Sequence, residues 1–278
     1  MTELMDTTVL PPPAGHGGPP RPRRPHPALV AAAVVVVLVA AVAGVGQLLG
    51  SAVHSTTVTD ATYTLASPRL AVTTNSGDIT VVAGDDDAVH VRTQARHGLA
   101  PPDLVARSGP TGLLLDSRCN GFLGDFCQVS YTVAVPRTAS LMVTGGVGDV
   151  VVRDLDGRVD VDNTAGDVLL TGLGGDVTVR TVSGDVVATG LRSGSVLAET
   201  TTGDVSVAGA VAPRSVTARS TVGDIDLAVP GTRSYRVDLG PGSGPGSGQT
   251  RVLVPVDPTA TATLSATSDH GDVTVRPA

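Results

Sequence analysis

A Gly-Asp pair followed by an aliphatic residue returns at a nearly fixed interval through the middle of the chain. The copies are Gly148-Asp149-Val150, Gly166-Asp167-Val168, Gly184-Asp185-Val186, Gly203-Asp204-Val205 and Gly223-Asp224-Ile225, at steps of 18, 18, 19 and 20 residues. A short fixed period marks a stacked-repeat architecture, in which each unit buries its apolar face only against its neighbours. Weaker copies lie between the strong ones, at Gly157-Arg158-Val159, Gly175-Asp176-Val177, Gly194-Ser195-Val196 and Arg214-Ser215-Val216, so the half-period is 9 to 11 residues. The same step occurs far outside the central run, at Gly77-Asp78-Ile79 and Gly271-Asp272-Val273.

Each half-repeat continues with strict alternation: Val150 and Val152, Val159 and Val161, Val168 and Leu170, Val177 and Val179, Val186 and Ala188, Val196 and Ala198, Val205 and Val207, Val216 and Ala218, Ile225 and Leu227. The residue between each pair varies freely from Val151 to Asp160, Thr178 and Asp226, as a solvent-facing side chain would. A strand of four or five residues and a turn of similar length, without helical periodicity, predict an all-β solenoid with two strands per coil of about 18–20 residues. Equivalent side chains then stack about 4.8 Å apart between sheets about 10 Å apart. Composition agrees with so thin an interior: Val and Ala dominate, Trp is absent, and the only aromatic residues are Tyr63, Phe122, Phe126, Tyr131 and Tyr235. Strands are also expected at Leu113–Leu115, Val129–Val135, Tyr235–Leu239 and Val252–Val256, the last two joined by a Gly-Pro-Gly-Ser loop over residues 240–248.

The Gly of each step allows the positive φ of a tight turn, and the Asp is expected to bond its own local backbone. Gly77, Asp78, Gly148, Asp149, Gly166, Asp167, Gly184, Asp185, Gly203, Asp204, Gly223, Asp224, Gly271 and Asp272 are therefore structural turn residues. A period of nine also invites comparison with glycine-rich calcium-binding nonapeptides. Those need three glycines and an Asp per turn, where this chain has Thr164-Ala165-Gly166 or Thr201-Thr202-Gly203, so neither metal nor cofactor is expected.

From Ala28 to Gly46 no residue is polar. Nineteen residues rising about 1.5 Å each reach roughly 28 Å, enough for the hydrocarbon thickness of a bilayer. Arg21, Arg23 and Arg24 precede the run and the flank from Gln47 to Thr59 has no Arg, which keeps the N-terminus in the cytoplasm. A cleaved signal peptide is the competing reading, with Ala41-Val42-Ala43 as its small-residue site; the length of the run favours a retained span. The expected organisation is a Pro- and Arg-rich disordered cytoplasmic tail (1–27), a transmembrane helix (28–49), a linker (50–56) and an extracytoplasmic β-repeat domain (57–278).

Successive Thr-x-x-Gly-Asp-Val/Ile turns with alternating aliphatics, after one apolar span, resemble the bacterial putative-adhesin domain of unknown function, a β-solenoid-like family of envelope proteins. The resemblance covers roughly residues 57 to 278 and is clearest from Val143 to Val229. It implies a surface-exposed scaffold without catalytic residues, and so transfers no residue roles.

Chemistry is sparse elsewhere. Cys119 and Cys127 lie eight apart, and an oxidising exterior favours their pairing as a disulfide. Phe122 and Phe126 in that loop offer either a small core or a contact patch. Asp85-Asp86-Asp87 with His90 is the densest acidic cluster, read as a solvated turn against a cation site. Asp160 and Asp162 share one strand face as a glycosidase pair would, but almost no aromatic residue is available to stack a sugar. Nucleophile elbows, His-Glu-x-x-His and phosphate-binding loops are absent. All 19 basic residues are Arg; outside the N-terminal segment 19 − 3 = 16 basic face 26 − 2 = 24 acidic residues, a balance of −8 that excludes nucleic-acid binding. The leading functional expectation is a non-enzymatic, membrane-anchored envelope protein that binds or scaffolds, with a cell-wall or protein partner or self-association through its coil ends. An envelope-stress sensor signalling through the span is the alternative, and a polysaccharide-acting β-helix enzyme the third.

Overall fold

The computed structural model describes residues 55–65, 67–98, 100–119, 126–240 and 248–278. The expected tail, span and most of the linker, together with Phe122 and most of the Gly-Pro-Gly-Ser loop, lie outside the described residues. Among the described residues no helix is long and apolar enough to cross a membrane.

A leading strand, β1 (Ser55–Thr64), is followed by a first coil of β2 (Arg69–Ser76) and β3 (Ile79–Ala83). An excursion then carries β4 (Ala88–His97), β5 (Asp103–Gly109), β6 (Gly112–Arg118) and β7 (Cys127–Val135). Stacking resumes with β8 (Ser140–Val147) and β9 (Val150–Arg153), then β10 (Val159–Ala165) and β11 (Val168–Thr171), and β12 (Val177–Ser183) and β13 (Val186–Leu191). The next coils are β14 (Ser195–Thr202) with β15 (Val205–Gly209), and β16 (Ser215–Val222) with β17 (Ile225–Val229). A second excursion supplies β18 (Arg236–Gly240) and β19 (Thr250–Val252) before the last coil, β20 (Thr263–His270) and β21 (Val273–Pro277).

The first strand of every coil enters a ten-stranded sheet, ordered β18-β20-β16-β14-β12-β10-β8-β2-β6-β5. The second enters an eleven-stranded sheet, ordered β1-β4-β7-β3-β9-β11-β13-β15-β17-β21-β19. Coils stack in parallel, with Val150 opposite Val168, Val168 opposite Val186, Val186 opposite Val205, Val205 opposite Ile225 and Ile225 opposite Val273. The eighteen inward residues read from the alternation are all 3% exposed or less. Both sheets are thus buried on one face by the same thin aliphatic layer, and the outward residue between each pair is free to vary.

The excursions form the two ends of the stack. At one end β4 pairs antiparallel with β1 and β7, and β5 with β6, the only antiparallel pairings among the described strands. At the other, β18 and β19 lie parallel to β20 and β21, outside the last coil. Tyr235 seals that end: its ring is fully buried and its hydroxyl donates to Pro230 O at 2.8 Å. The excursions thus add irregular strands beyond the regular coils at both ends. The sequence predicts strands at Leu113–Leu115, Val129–Val135 and Tyr235–Leu239, but not their place at the ends, because these segments have no period. Each terminal strand, β1, β5, β18 and β19, still pairs on one side only among the described residues.

A second corner lies at the ends of β9, β11 and β13. Asp154, Gly172 and Gly190 adopt left-handed φ values of 61°, 67° and 63° there, and Leu155, Leu173 and Leu191 stack inside, all buried. The two corners differ in crowding. A Cβ on Gly184 (φ 135°) would sit 2.1 Å from Gly166 O, whereas one on Gly190 would meet nothing closer than 3.7 Å. Gly184→Ala should therefore destabilise the fold by roughly 3 kcal/mol or more. Gly190→Ala should cost only about 1–2 kcal/mol; denaturant titration of both variants checks the contrast, and equal losses would contradict it.

Candidate functional site

The Gly-Asp corners fall into one continuous line. Asp149 N–H donates to Asp78 Oδ1 (3.1 Å), Asp167 to Asp149 (2.9 Å), Asp185 to Asp167 (2.9 Å), Asp204 to Asp185 (2.8 Å), Asp224 to Asp204 (2.7 Å) and Asp272 to Asp224 (2.7 Å). Gln249 N–H closes the series on Asp272 at 2.7 Å. All seven corner glycines have positive φ, from 123° to 159°. The carboxylates thus bond the next coil instead of their own local backbone, because the Gly turns each Asp N–H along the stacking axis toward the preceding carboxylate. Stacking partners such as Asp78 and Asp149, 71 residues apart, cannot be paired by a local rule.

Inside the same corner runs a second line that sequence reading missed. Thr74, Asn163, Thr181, Thr200, Ser220 and Ser268 each stand three residues before a corner glycine, and all are buried. Thr200 Oγ1 donates to Gly184 O at 3.1 Å, Ser220 Oγ to Gly203 O at 2.9 Å, Ser268 Oγ to Gly223 O at 2.7 Å and Asn163 Nδ2 to Gly148 O at 3.1 Å. Side chains thereby satisfy corner carbonyls that the sheet does not. Gly145 stands opposite Asn163, and a Cβ there would lie 2.2 Å from Asn163 Oδ1, so the absent side chain makes room for the larger amide. The Thr-x-x-Gly pattern carried the signal for this line, read only as a mark of resemblance.

The remaining nominated groups do not converge. Arg158 grips Asp160 with two bonds of 2.8 and 2.9 Å and holds its carboxyl below the usual carboxylate range. A general acid needs the opposite shift. Asp162 is largely exposed, 4.0 Å from Arg180. Asp86 is bonded to His90 Nε2 at 2.9 Å and to Ala88 N–H at 3.2 Å, and the His90 bond lowers its pKa. Among the described residues no group of three or more His, Cys, Asp or Glu side chains could hold a metal ion. Cys119 and Cys127 are joined by a disulfide with Cα atoms 5.7 Å apart, tying β6 of one sheet to β7 of the other. Phe126 is exposed.

What the structure does assemble is surface. On the ten-stranded sheet, Thr73, Thr144, Asp162, Arg180, Glu199, Arg219 and Thr267 form a row across seven strands. Glu199 bridges Arg180 and Arg219 at 3.2 and 2.5 Å. On the other sheet the corresponding row is Thr132, Thr80, Val151, Leu169, Val187, Ser206, Asp226 and Thr274, with Arg276 forked onto Asp226.

A two-sheet stack of parallel coils joined at Gly-Asp corners, with side-chain rows on both outer faces, defines a β-solenoid scaffold. The chain belongs to the Toastrack DUF4097 family, a domain family of unknown function, whose model matches residues 57–276. Two solved structures are similar to it. One is a putative adhesin from Bacteroides fragilis, 17% identical, with a TM-score of 0.49, 80% of this chain and 97% of that chain covered. The other is a putative cell adhesion protein from Clostridium sporogenes, 7% identical, with a TM-score of 0.35, 81% of this chain and 100% of that chain covered. No curated protein matches the chain.

Two measurements test this account of the corners. Asp185→Ala strands the Asp204 N–H and should cost about 1–2 kcal/mol, while Asp185→Asn keeps an acceptor and should lose much less; equal losses would refute the hydrogen-bond role. For Asp160, a folded pKa below the unfolded value near 4 gives stability that is present above the unfolded pKa and lost as pH falls through the folded one. The Tm of Arg158→Gln should therefore lie below wild type at pH 7, with the gap closing on acidification; a constant gap down to pH ~2 would contradict the linkage.

Proposed function

We propose that this chain is a non-enzymatic, membrane-anchored envelope protein whose Toastrack domain binds or scaffolds through an extended face, held outside the cytoplasm by residues 28–49. The observation that carries this reading is the division of labour within each coil. Inward positions repeat one aliphatic pattern, while outward positions run from Thr to Asp, Arg, Glu, Val and Leu along rows that span the whole stack. Such rows present many small contacts at fixed spacing, which suits recognition of a repetitive polymer or another extended surface more than enclosure of a small substrate. The apolar run and the Arg bias before it support the anchor and its orientation.

The full chain, reconstituted in lipid nanodiscs, is to be tested for binding to isolated cell-wall polymer, to lipid vesicles and to itself, with and without calcium. Saturable, calcium-independent binding that survives deletion of residues 1–27 is expected. Loss of a signalling phenotype on that deletion, with binding to every surface absent, would favour the sensor reading instead. Glycan turnover abolished by Asp160→Asn would overturn the non-enzymatic assignment.

A further inference from the structure

The outer face of the ten-stranded sheet is not uniform. Near the β5 end, five facing residues on adjacent strands read Arg107, Leu114, Ala71, Met142 and Asp160. The three central ones are apolar, and Met142 is 56% exposed although nothing in the fold requires an apolar residue there. The next positions along the same strands are Gly109, Gly112, Arg69 and Ser140, with Arg158 beyond. Small residues between long ones leave a recess, and the result is an open cleft of about 640 Å³. Four strand spacings from Arg107 to Asp160 make it about 19 Å long, and its apolar floor of Leu114, Ala71 and Met142 spans two of them, about 10 Å.

Its charge is distinctive for a chain of net charge −7. Arg158 is spent on Asp160. Arg69 and Arg107 also line the cleft, and among the described residues neither has a carboxylate within ion-pair distance. They flank Gly109 and Gly112, and at Gly109 a Cβ would meet nothing within 4 Å. An apolar strip with one guanidinium at its β5 end (Arg107) and a second beside its central strand β2 (Arg69), neither ion-paired among the described residues, matches one chemistry: an alkyl chain carrying an anionic head. A sugar would need stacking aromatics, and the cleft has none.

We propose that this cleft binds a single-chain amphiphile with a carboxylate or phosphate head. The head lies over the glycine gap between Arg69 and Arg107, and the chain lies along Leu114, Ala71 and Met142. The inference rests on the cleft alone, and stands whether or not the wider surface is adhesive.

The test uses the full chain in phosphatidylcholine nanodiscs and a photoreactive diazirine analogue of palmitic acid, with the labelled positions mapped by mass spectrometry. Label is expected on the peptides containing Leu114 and Met142, and should fall by about tenfold or more in the double variant Arg69→Gln/Arg107→Gln, which removes two charge-assisted contacts. Gly109→Leu is a second variant that adds bulk at the cleft lining where a Cβ meets nothing within 4 Å; it should also suppress the label. Circular dichroism and Tm establish that both variants remain folded. Excess palmitate or lysophosphatidylglycerol as competitor separates a free fatty acid from a lipid as the natural source. Absence of label in the cleft, equal labelling by the corresponding diazirine alcohol, equal labelling of the double Arg variant, or displacement by neither competitor would each overturn the proposal. Loss of polymer binding with cleft labelling intact would refute adhesion and leave the cleft assignment standing.

Discussion

One hydrogen bond, repeated at every coil, sets the geometry on which the rest depends: the N–H of a corner Asp donating to the carboxylate of the Asp one coil before. It requires a glycine immediately before it, because only a residue without Cβ can take the positive φ and approach the carbonyl of the preceding corner. Fixing that corner fixes the register of the strand that follows. A one-residue slip would turn Val168 and Leu170 outward and Leu169 inward. Charge repulsion along a column of carboxylates spaced by one strand is offset because each accepts a backbone donor and faces solvent on its other side. Within the buried line, Asn163, Thr200, Ser220 and Ser268 complete the corners from inside by bonding the carbonyls of Gly148, Gly184, Gly203 and Gly223, while the Thr181 hydroxyl finds no partner.

Because register is carried by the corners and the core by a two-residue alternation, little of the outer surface is needed for stability. This leaves the faces open to carry chemistry, and they differ. The charged row through Asp162, Arg180, Glu199 and Arg219 is internally neutralised by its own ion pairs. The region around Arg69 and Arg107 is not. Exposed pairs of this kind contribute little to folding, so the arrangement of charge on this sheet is only weakly constrained by the core beneath.

The repeat was legible in the sequence because it is written at the level of single residues. Val150 to Leu227 alternate, Gly148 to Gly223 recur, and the structure buries the first set and turns at the second. Even Gly77 and Gly271 could be placed by likeness alone. The partner of each corner Asp could not, since a local Asx bond and a bond to the next coil demand the same Gly-Asp pair. The buried line at Asn163, Thr181 and Thr200 continues the inward alternation of Val159/Val161, Val177/Val179 and Val196/Ala198, so its face was legible, but the corner carbonyls that Asn163 and Thr200 bond lie on neighbouring coils and were not. The ends were invisible to any search for period, because β4 to β7 and β18 to β19 pair through excursions whose residues match no repeat. The cleft at Ala71, Leu114 and Met142 depends on residues 43 and 71 positions from Ala71 meeting it side by side, which only the fold reveals.

The placement of β18 and β19 bears on how the domain is made. They pair only with β20 and β21, which follow them in the chain and sit between them and β16 and β17. As the polypeptide emerges in order, the capping excursion therefore appears before the layer it must cover. Its two strands have no native partner until the later ones arrive, and those later strands must enter a slot with a neighbour on each side. The stack is thus completed by insertion instead of by simple addition at its growing tip, and in the interval Tyr235 and the edge of β17 are exposed together. The same holds at the other end, where β7 enters between the earlier β4 and β3 and β6 between the earlier β5 and β2, so both ends are assembled against the direction of synthesis.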